Sequence, residues 1–137
     1  MRYALLDGKK DEIILVARFL LMILFVISGW SKLMAFPATI TYMKDTGLPL
    51  PIAASIVAII MELPAGILIF IGFYTRPVAL LLAIYTIATA IIGHHFWTMH
   101  GDDRIANMVS FYKNAGMAGG FLLMCLTGPG KYSIDRT

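Results

Sequence analysis

Long apolar stretches alternate with short polar ones along the chain: about Ile13 to Met34, Ile52 to Phe73, Val78 to Trp97 and Ile105 to Leu126. Each runs to roughly 20 residues, the length at which a helix crosses a hydrocarbon core of about 30 Å. The pattern predicts an all-α fold, a transmembrane four-helix bundle forming a single integral membrane domain over residues 1–137. Between the first two spans, Ala35 to Pro51 reads as a connector holding a short interfacial helix. Proline stands at its front (Phe36-Pro37) and a glycine cap at its back (Gly47-Leu48-Pro49).

The polar residues punctuate this pattern. The first span follows a short polar tail, with Asp11 and Glu12 suited to a helix N-terminus. It carries Arg18 about one turn inside and ends in Ser28-Gly29-Trp30-Ser31-Lys32, where tryptophan and lysine mark an interface and Lys32 is placed to snorkel to the headgroups. The second span places Glu62 near its middle, followed by Pro64 and Gly66, so its hydrogen-bond ladder is interrupted beside its charge. A tight link, Tyr74-Thr75-Arg76-Pro77, leads to the third span, which ends in His94-His95-Phe96-Trp97. A polar loop with His100, Asp102, Asp103 and Arg104 precedes the fourth span, which contains Lys113, Asn114, Gly116, Gly119 and Gly120 and stops at Gly128-Pro129-Gly130. Gly116 and Gly120 make a GxxxG spacing, which lets helix backbones approach closely within the monomer or across a homodimer.

Composition agrees. Hydrophobic residues make up 59% and charged residues 14%, against about 25% charged in soluble domains. A net charge of +3 would in a soluble chain raise nucleic-acid binding, but the basic residues are spread between apolar runs, and topology accounts for them; nucleic acid is discarded as a partner. Arg2, Lys9, Lys10, Arg76, Lys131 and Arg136 fall on the side of both tails, and Lys32, Lys44 and Arg104 on the other, which predicts cytoplasmic termini. The first apolar run exceeds a signal-peptide core and lacks an A-x-A site, so it is expected to be retained. The single cysteine, Cys125, gives no intrachain disulfide and no metal pattern.

A carboxylate in mid-membrane costs about 2.5–3.5 kcal/mol on insertion scales unless something faces it. At about 1.5 Å per residue, Glu62 lies roughly 16 Å from either face, Lys113 roughly 12 Å in from the outer side, and Arg18 roughly 8 Å from the cytoplasmic end. Arg18 and Lys113 are both candidate partners, and Arg18 is the better one, since its fork matches a carboxylate bidentately and cannot lose its proton. Lys113 shares a stripe with Met117 and Gly120 and is expected to face inward, with Asn114 at its side. His94 and His95 are expected to diverge on their helix, one inward and one toward the headgroups, an arrangement that does not favour a metal. A lone His-His supplies no specific haem signal, and hydrolase and nucleotide motifs find no support. The outer half of the bundle is thus predicted to gather Lys32, Tyr42, His94 or His95, Lys113 and Asn114 over a floor at Glu62. That pocket suits an anionic or carbonyl-bearing ligand with an apolar body, such as a quinone. The bland reading is an ion-pair network that only fixes helix register.

These residues also form a recognisable pattern. The segments Val16-Ala17-Arg18, Ser28-Gly29-Trp30-Ser31-Lys32, Tyr42-Met43 with Gly47-Leu48-Pro49, and Glu62 before Gly66 belong to it, as do Gly72-Phe73-Tyr74-Thr75-Arg76, His94 with Phe96, Lys113-Asn114 with Gly119-Gly120, and Thr127 through Arg136. In them the chain resembles the DoxX family of small four-span bacterial inner membrane proteins, most closely its YqjF-like branch. The resemblance implies a redox or quinone-related role, as a membrane partner of an oxidoreductase. Read with it, Glu62, His94 and Lys113 are the expected catalytic residues, and Arg18, Lys32, Tyr42, His95 and Asn114 the expected ligand-binding ones. Lys113 and Asn114 would polarise a quinone carbonyl, and His94 would exchange protons near neutral pH. No redox cofactor shows in the sequence, so electrons would come from a bound cofactor or a partner subunit. The alternative is a non-enzymatic scaffold or small-solute carrier whose polar core packs helices and which recruits a soluble redox enzyme.

Overall fold

The computed structural model describes residues 6–135, the side chain of Asp7 excepted. Arg2 and Arg136, both counted in the charge asymmetry, lie outside the described residues. A 3-10 turn at Asp7–Lys9 leads into α1 (Lys10–Met34), followed by α2 (Phe36–Asp45), α3 (Pro51–Glu62), α4 (Pro64–Ile71), α5 (Thr75–Gly93), a 3-10 turn (Phe96–Thr98) and α6 (Gly101–Thr127). The described residues contain no strand.

Each boundary has a local cause. Asp11 and Glu12 occupy the first turn of α1 and Lys32 its last, matching the helix dipole. α2 opens on a proline and closes in a Schellman motif: Leu48 N–H donates to Met43 O (3.2 Å) and Gly47 N–H to Lys44 O (3.0 Å), with Gly47 at φ 78°. The second expected span is two helices jointed at Leu63. Leu63 N–H still reaches Ile59 O (2.9 Å), but Pro64 has no N–H to give to the preceding turn, and the axis breaks directly after Glu62.

α5 begins at Thr75, earlier than its apolar run, because the Asp135 carboxylate folds back and accepts the backbone N–H groups of Tyr74 (3.0 Å) and Thr75 (2.9 Å). It ends at Gly93, before His94, contrary to the expectation of a helix through Trp97. Phe96 and Trp97 instead turn onto Phe111 of α6, with ring centroids 5.5 and 5.9 Å from it. α6 starts about a turn before its apolar run, with Asp102 and Asp103 favourably placed in its first turn.

Among the described residues, three helical stretches, Lys10–Met34, Pro51–Ile71 and Thr75–Thr98, are long and apolar enough to cross a membrane. α6 has the length but is not among the sufficiently apolar ones. A core of Met22, Phe25, Ile69, Leu82 and Phe121 lies where the helices meet, while isoleucines and leucines on the outward faces stay exposed, as a lipid-facing surface requires. Gly120 is covered within the chain, since a Cβ there would stand 3.0 Å from Leu21, whereas one on Gly116 would meet nothing within 4 Å. The two glycines therefore do not offer a second copy the continuous close-packing face their spacing predicts.

Gly29 sets the geometry on which the site depends. A Cβ at this position would lie 2.7 Å from the Leu63 backbone nitrogen and 3.0 Å from the Glu62 carbonyl carbon. α1 thus rests backbone to backbone on the α3/α4 joint.

Candidate functional site

Lys32 is three residues beyond Gly29 and so on the same face of α1. The close approach at Gly29 delivers its ammonium to Glu62, Nζ to Oε2, at 2.6 Å. Lys32 also donates to Ser28 Oγ (2.5 Å), and Tyr85 of α5 donates its hydroxyl to the other carboxylate oxygen, Oε1, at 2.8 Å. Glu62 is 8% exposed, and both its oxygens have partners. One acid therefore ties α1, α3 and α5 together.

This replaces the expected Arg18–Glu62 pair. Arg18 is 2% exposed and donates instead to Pro129 O (2.7 Å) and Phe70 O (2.8 Å), backbone carbonyls beyond α6 and at the end of α4. Helix ends carry unpaired carbonyls, and a planar guanidinium can bridge two of them. Around it the C-terminal segment closes the same end of the bundle: Ile134 N–H donates to Ile71 O, Asp135 N–H to Gly72 O, and Lys131 N–H to the Asp11 carboxylate. Arg76 caps α6 through Cys125 O (3.0 Å) and Leu126 O (2.6 Å). The backbone N–H of Thr75, helped by that of Tyr74 and by the Arg18 charge, holds the Asp135 carboxyl below its ordinary value. Arg18 is accordingly a structural residue of this end and no part of the predicted pocket.

Above Glu62 lies a cavity of about 400 Å³. α1 contributes Phe25, Ser28 and Lys32; α2 contributes Tyr42 and Met43; α3 contributes Ala58 and Glu62. Tyr85, Thr86 and Thr89 come from α5, His94 from the following turn, and Lys113, Asn114 and Met117 from α6. Most of the wall is apolar, with polar groups at the floor and along one side, as is usual for small-molecule sites. Glu62, Lys32, Tyr42, His94, Lys113 and Asn114 thus meet at one cavity.

The remaining sequence expectations need correction. His95 points elsewhere, with Nδ1 on Ile92 O (2.9 Å) and its ring against Trp97. Both histidines lie on a turn beyond α5, so helical spacing does not separate them. Lys32 does not snorkel to the headgroups. On α6 it is Asn114 that lies on the buried stripe with Ala118 and Phe121, donating to Thr89 Oγ1 (3.4 Å), while Lys113 is exposed at the stripe's edge. Lys113 has no hydrogen bond or ion pair among the described residues and does not reach Glu62.

His94 Nδ1 lies 3.0 Å from Asn107 Oδ1, and Asn107 Nδ2 donates to Asp103 O. With the amide nitrogen so used, the amide oxygen accepts from His94. Nε2 is the ring nitrogen outside that contact.

Tyr85, Ser28, Thr86 and Thr89 escaped sequence reasoning. A tyrosine deep in an apolar helix was the available signal, because its buried hydroxyl needs a partner and only another span can supply one.

The family model described as DoxX matches residues 13–95. The inner membrane protein YphA of Escherichia coli (strain K12) is 46% identical over 136 residues, 99% of this chain and 97% of YphA. The inner membrane protein YqjF of the same organism is 40% identical over 130 residues, 93% of this chain and 92% of YqjF. A shorter likeness, 40% over 78 residues, links it to a Bacillus subtilis (strain 168) protein named "Putative oxidoreductase CatD", covering 57% of this chain and 56% of that one. No solved structure matches the chain. The apolar helices and these relatives make it a multi-pass inner membrane protein. With a family model matching more than half its length and two relatives aligned almost end to end, the chain belongs to the DoxX family.

Proposed function

We propose that this protein is a quinone-interacting, redox-associated membrane subunit, crossing the membrane four times, α6 included, with both termini in the cytoplasm. The observation that carries the reading is the cavity over Glu62, where charged, amide and imidazole groups from several helices and the turn after α5 line an otherwise apolar chamber of about 400 Å³. Polar groups at such depth mark function more often than packing, and the volume falls within the range of small-molecule sites. The Lys32–Glu62–Tyr85 cluster forms the floor. Lys113 and Asn114 face a ligand carbonyl from one side, and His94 Nε2 accepts or returns a proton. Electrons enter from a bound cofactor or a soluble redox partner. The name carried by the Bacillus relative fits this class.

Titrating the purified protein with a menaquinone or ubiquinone analogue tests it. Glu62→Gln, Lys113→Gln and His94→Gln, made separately, are expected to weaken binding, at least one of them by tenfold. Unchanged binding in all three ends the reading.

One observation favours a second reading, that of a scaffold or small-solute carrier recruiting a redox enzyme: both Glu62 oxygens are already paired, as a purely structural acid would be. Mass spectrometry of gently purified protein separates the two. A copurifying quinone supports the first; its absence, with a soluble oxidoreductase retained, supports the second.

A further inference from the structure

The ionisable groups of the cavity are unequally used. Lys32 and Glu62 cancel at 2.6 Å, and Tyr85 spends its only hydroxyl proton on the same carboxylate. His94 has its Nδ1 engaged by Asn107 Oδ1 at 3.0 Å. Lys113 is the one charged group on the cavity wall with no partner among the described residues. At about 1.5 Å per residue it lies about 18 Å along α6 from Gly101. No acid among the described residues pairs with it. Lys113 is therefore an unpaired basic group at the edge of the cavity, beside its apolar walls.

We infer that the ligand of this cavity is an oxyanion on an apolar ring or chain, held by an ion pair to Lys113, with its apolar body toward Phe25, Met117 and Ala58. This rests on the proposed ligand-binding role and narrows it, from carbonyl compounds in general to those that are negatively charged when bound. Asn114 sits beside Lys113, and its amide is oriented by Thr89, so an N–H donor is available to the same oxygen or its neighbour. Lys32 is excluded as the anion's partner because a second negative charge there would compete with Glu62. Carboxylates and ring enolates share this chemistry.

Two matched pairs of probes test it, with binding measured on the full chain in detergent or nanodiscs at neutral pH. One pair is 2-naphthoate against neutral 2-naphthamide. The other is 2-hydroxy-1,4-naphthoquinone, an enolate under these conditions, against neutral 1,4-naphthoquinone. The anion is expected to bind about tenfold more tightly than its neutral partner in at least one pair, and the pair showing it identifies the oxyanion class. Lys113→Gln should abolish that preference, and Lys113→Arg should keep it; both substitutions fall at an exposed position and leave the core untouched. Neutral members binding as tightly as the anions, or a preference that survives Lys113→Gln, would overturn the inference while leaving the cavity reading intact. Binding of none of the four probes would overturn both.

Discussion

Replacing Gly29 by alanine probes the contact on which the site is built. The added Cβ would stand 2.7 Å from the Leu63 nitrogen and 2.9 Å from its Cβ, short of ordinary contact at 3.4 Å by about 0.7 Å, and the nearest obstacle is backbone, which cannot rotate away. α1 has to retreat. A retreat of that size lengthens the Lys32–Glu62 contact from 2.6 Å to about 3.3 Å, beyond normal hydrogen-bond range. Overpacking of this kind costs about 1–3 kcal/mol. At about 2–4 °C per kcal/mol for a chain near this size, the apparent melting temperature should fall by roughly 2–12 °C. The assay is thermal unfolding in detergent by intrinsic fluorescence, run beside Gly116→Ala, whose Cβ meets nothing within 4 Å. Gly116→Ala should be neutral or slightly stabilising, since alanine is the better helix former by about 1 kcal/mol. If the two variants melt together at or above the parent, the contact is not tight and the account of how Lys32 reaches Glu62 fails.

Other outcomes follow from the same geometry. Tyr85→Phe removes a hydrogen bond to a charged group and should cost about 1.5–3 kcal/mol in denaturation; a loss under about 0.5 kcal/mol would mean that the phenol is not engaged. Lys32→Met strands a carboxylate on a nearly buried side chain, and should be more harmful than Lys32→Met combined with Glu62→Gln. A double variant no more stable than the single one would contradict the pairing. Asp135 is held below its ordinary pKa in the fold, so its cap contributes stability above the unfolded carboxylate value of about 3.9 and loses it as pH falls through the lower folded value. Hydrogen-exchange protection at Tyr74 and Thr75, relative to the intrinsic rate at each pH, should therefore be lost only at strongly acid pH in the parent, but already at neutral pH in Asp135→Ala. Equal protection in both at neutral pH would rule out the cap.

Much of this arrangement could be read from the chain because hydrophobic runs of bilayer length and their punctuation are local signals. Pro37, Gly47 and Pro64 act where their backbone chemistry says they should. The choice of partner for Glu62 was not legible, because depth arithmetic treats helices as evenly spaced rods. It placed Lys32 at the headgroups and could not register that a glycine facing a proline joint pulls two backbones together. The orientation of Lys113 and Asn114 failed for a related reason: a 100° difference between neighbours is certain, but its absolute setting depends on how α6 packs against α5. The early start of α5 depends on Asp135, 60 residues from Thr75, and no local pattern announces it.

The guanidinium of Arg18 has one acceptor 52 residues on, at Phe70, and another 111 residues on, at Pro129. The first helix is synthesised before either carbonyl exists, so the charge it carries is satisfied only by parts of the chain made later. A chain that stopped before Pro129 would leave that cation with the Phe70 carbonyl alone, so the last turn completes a contact begun in the first helix.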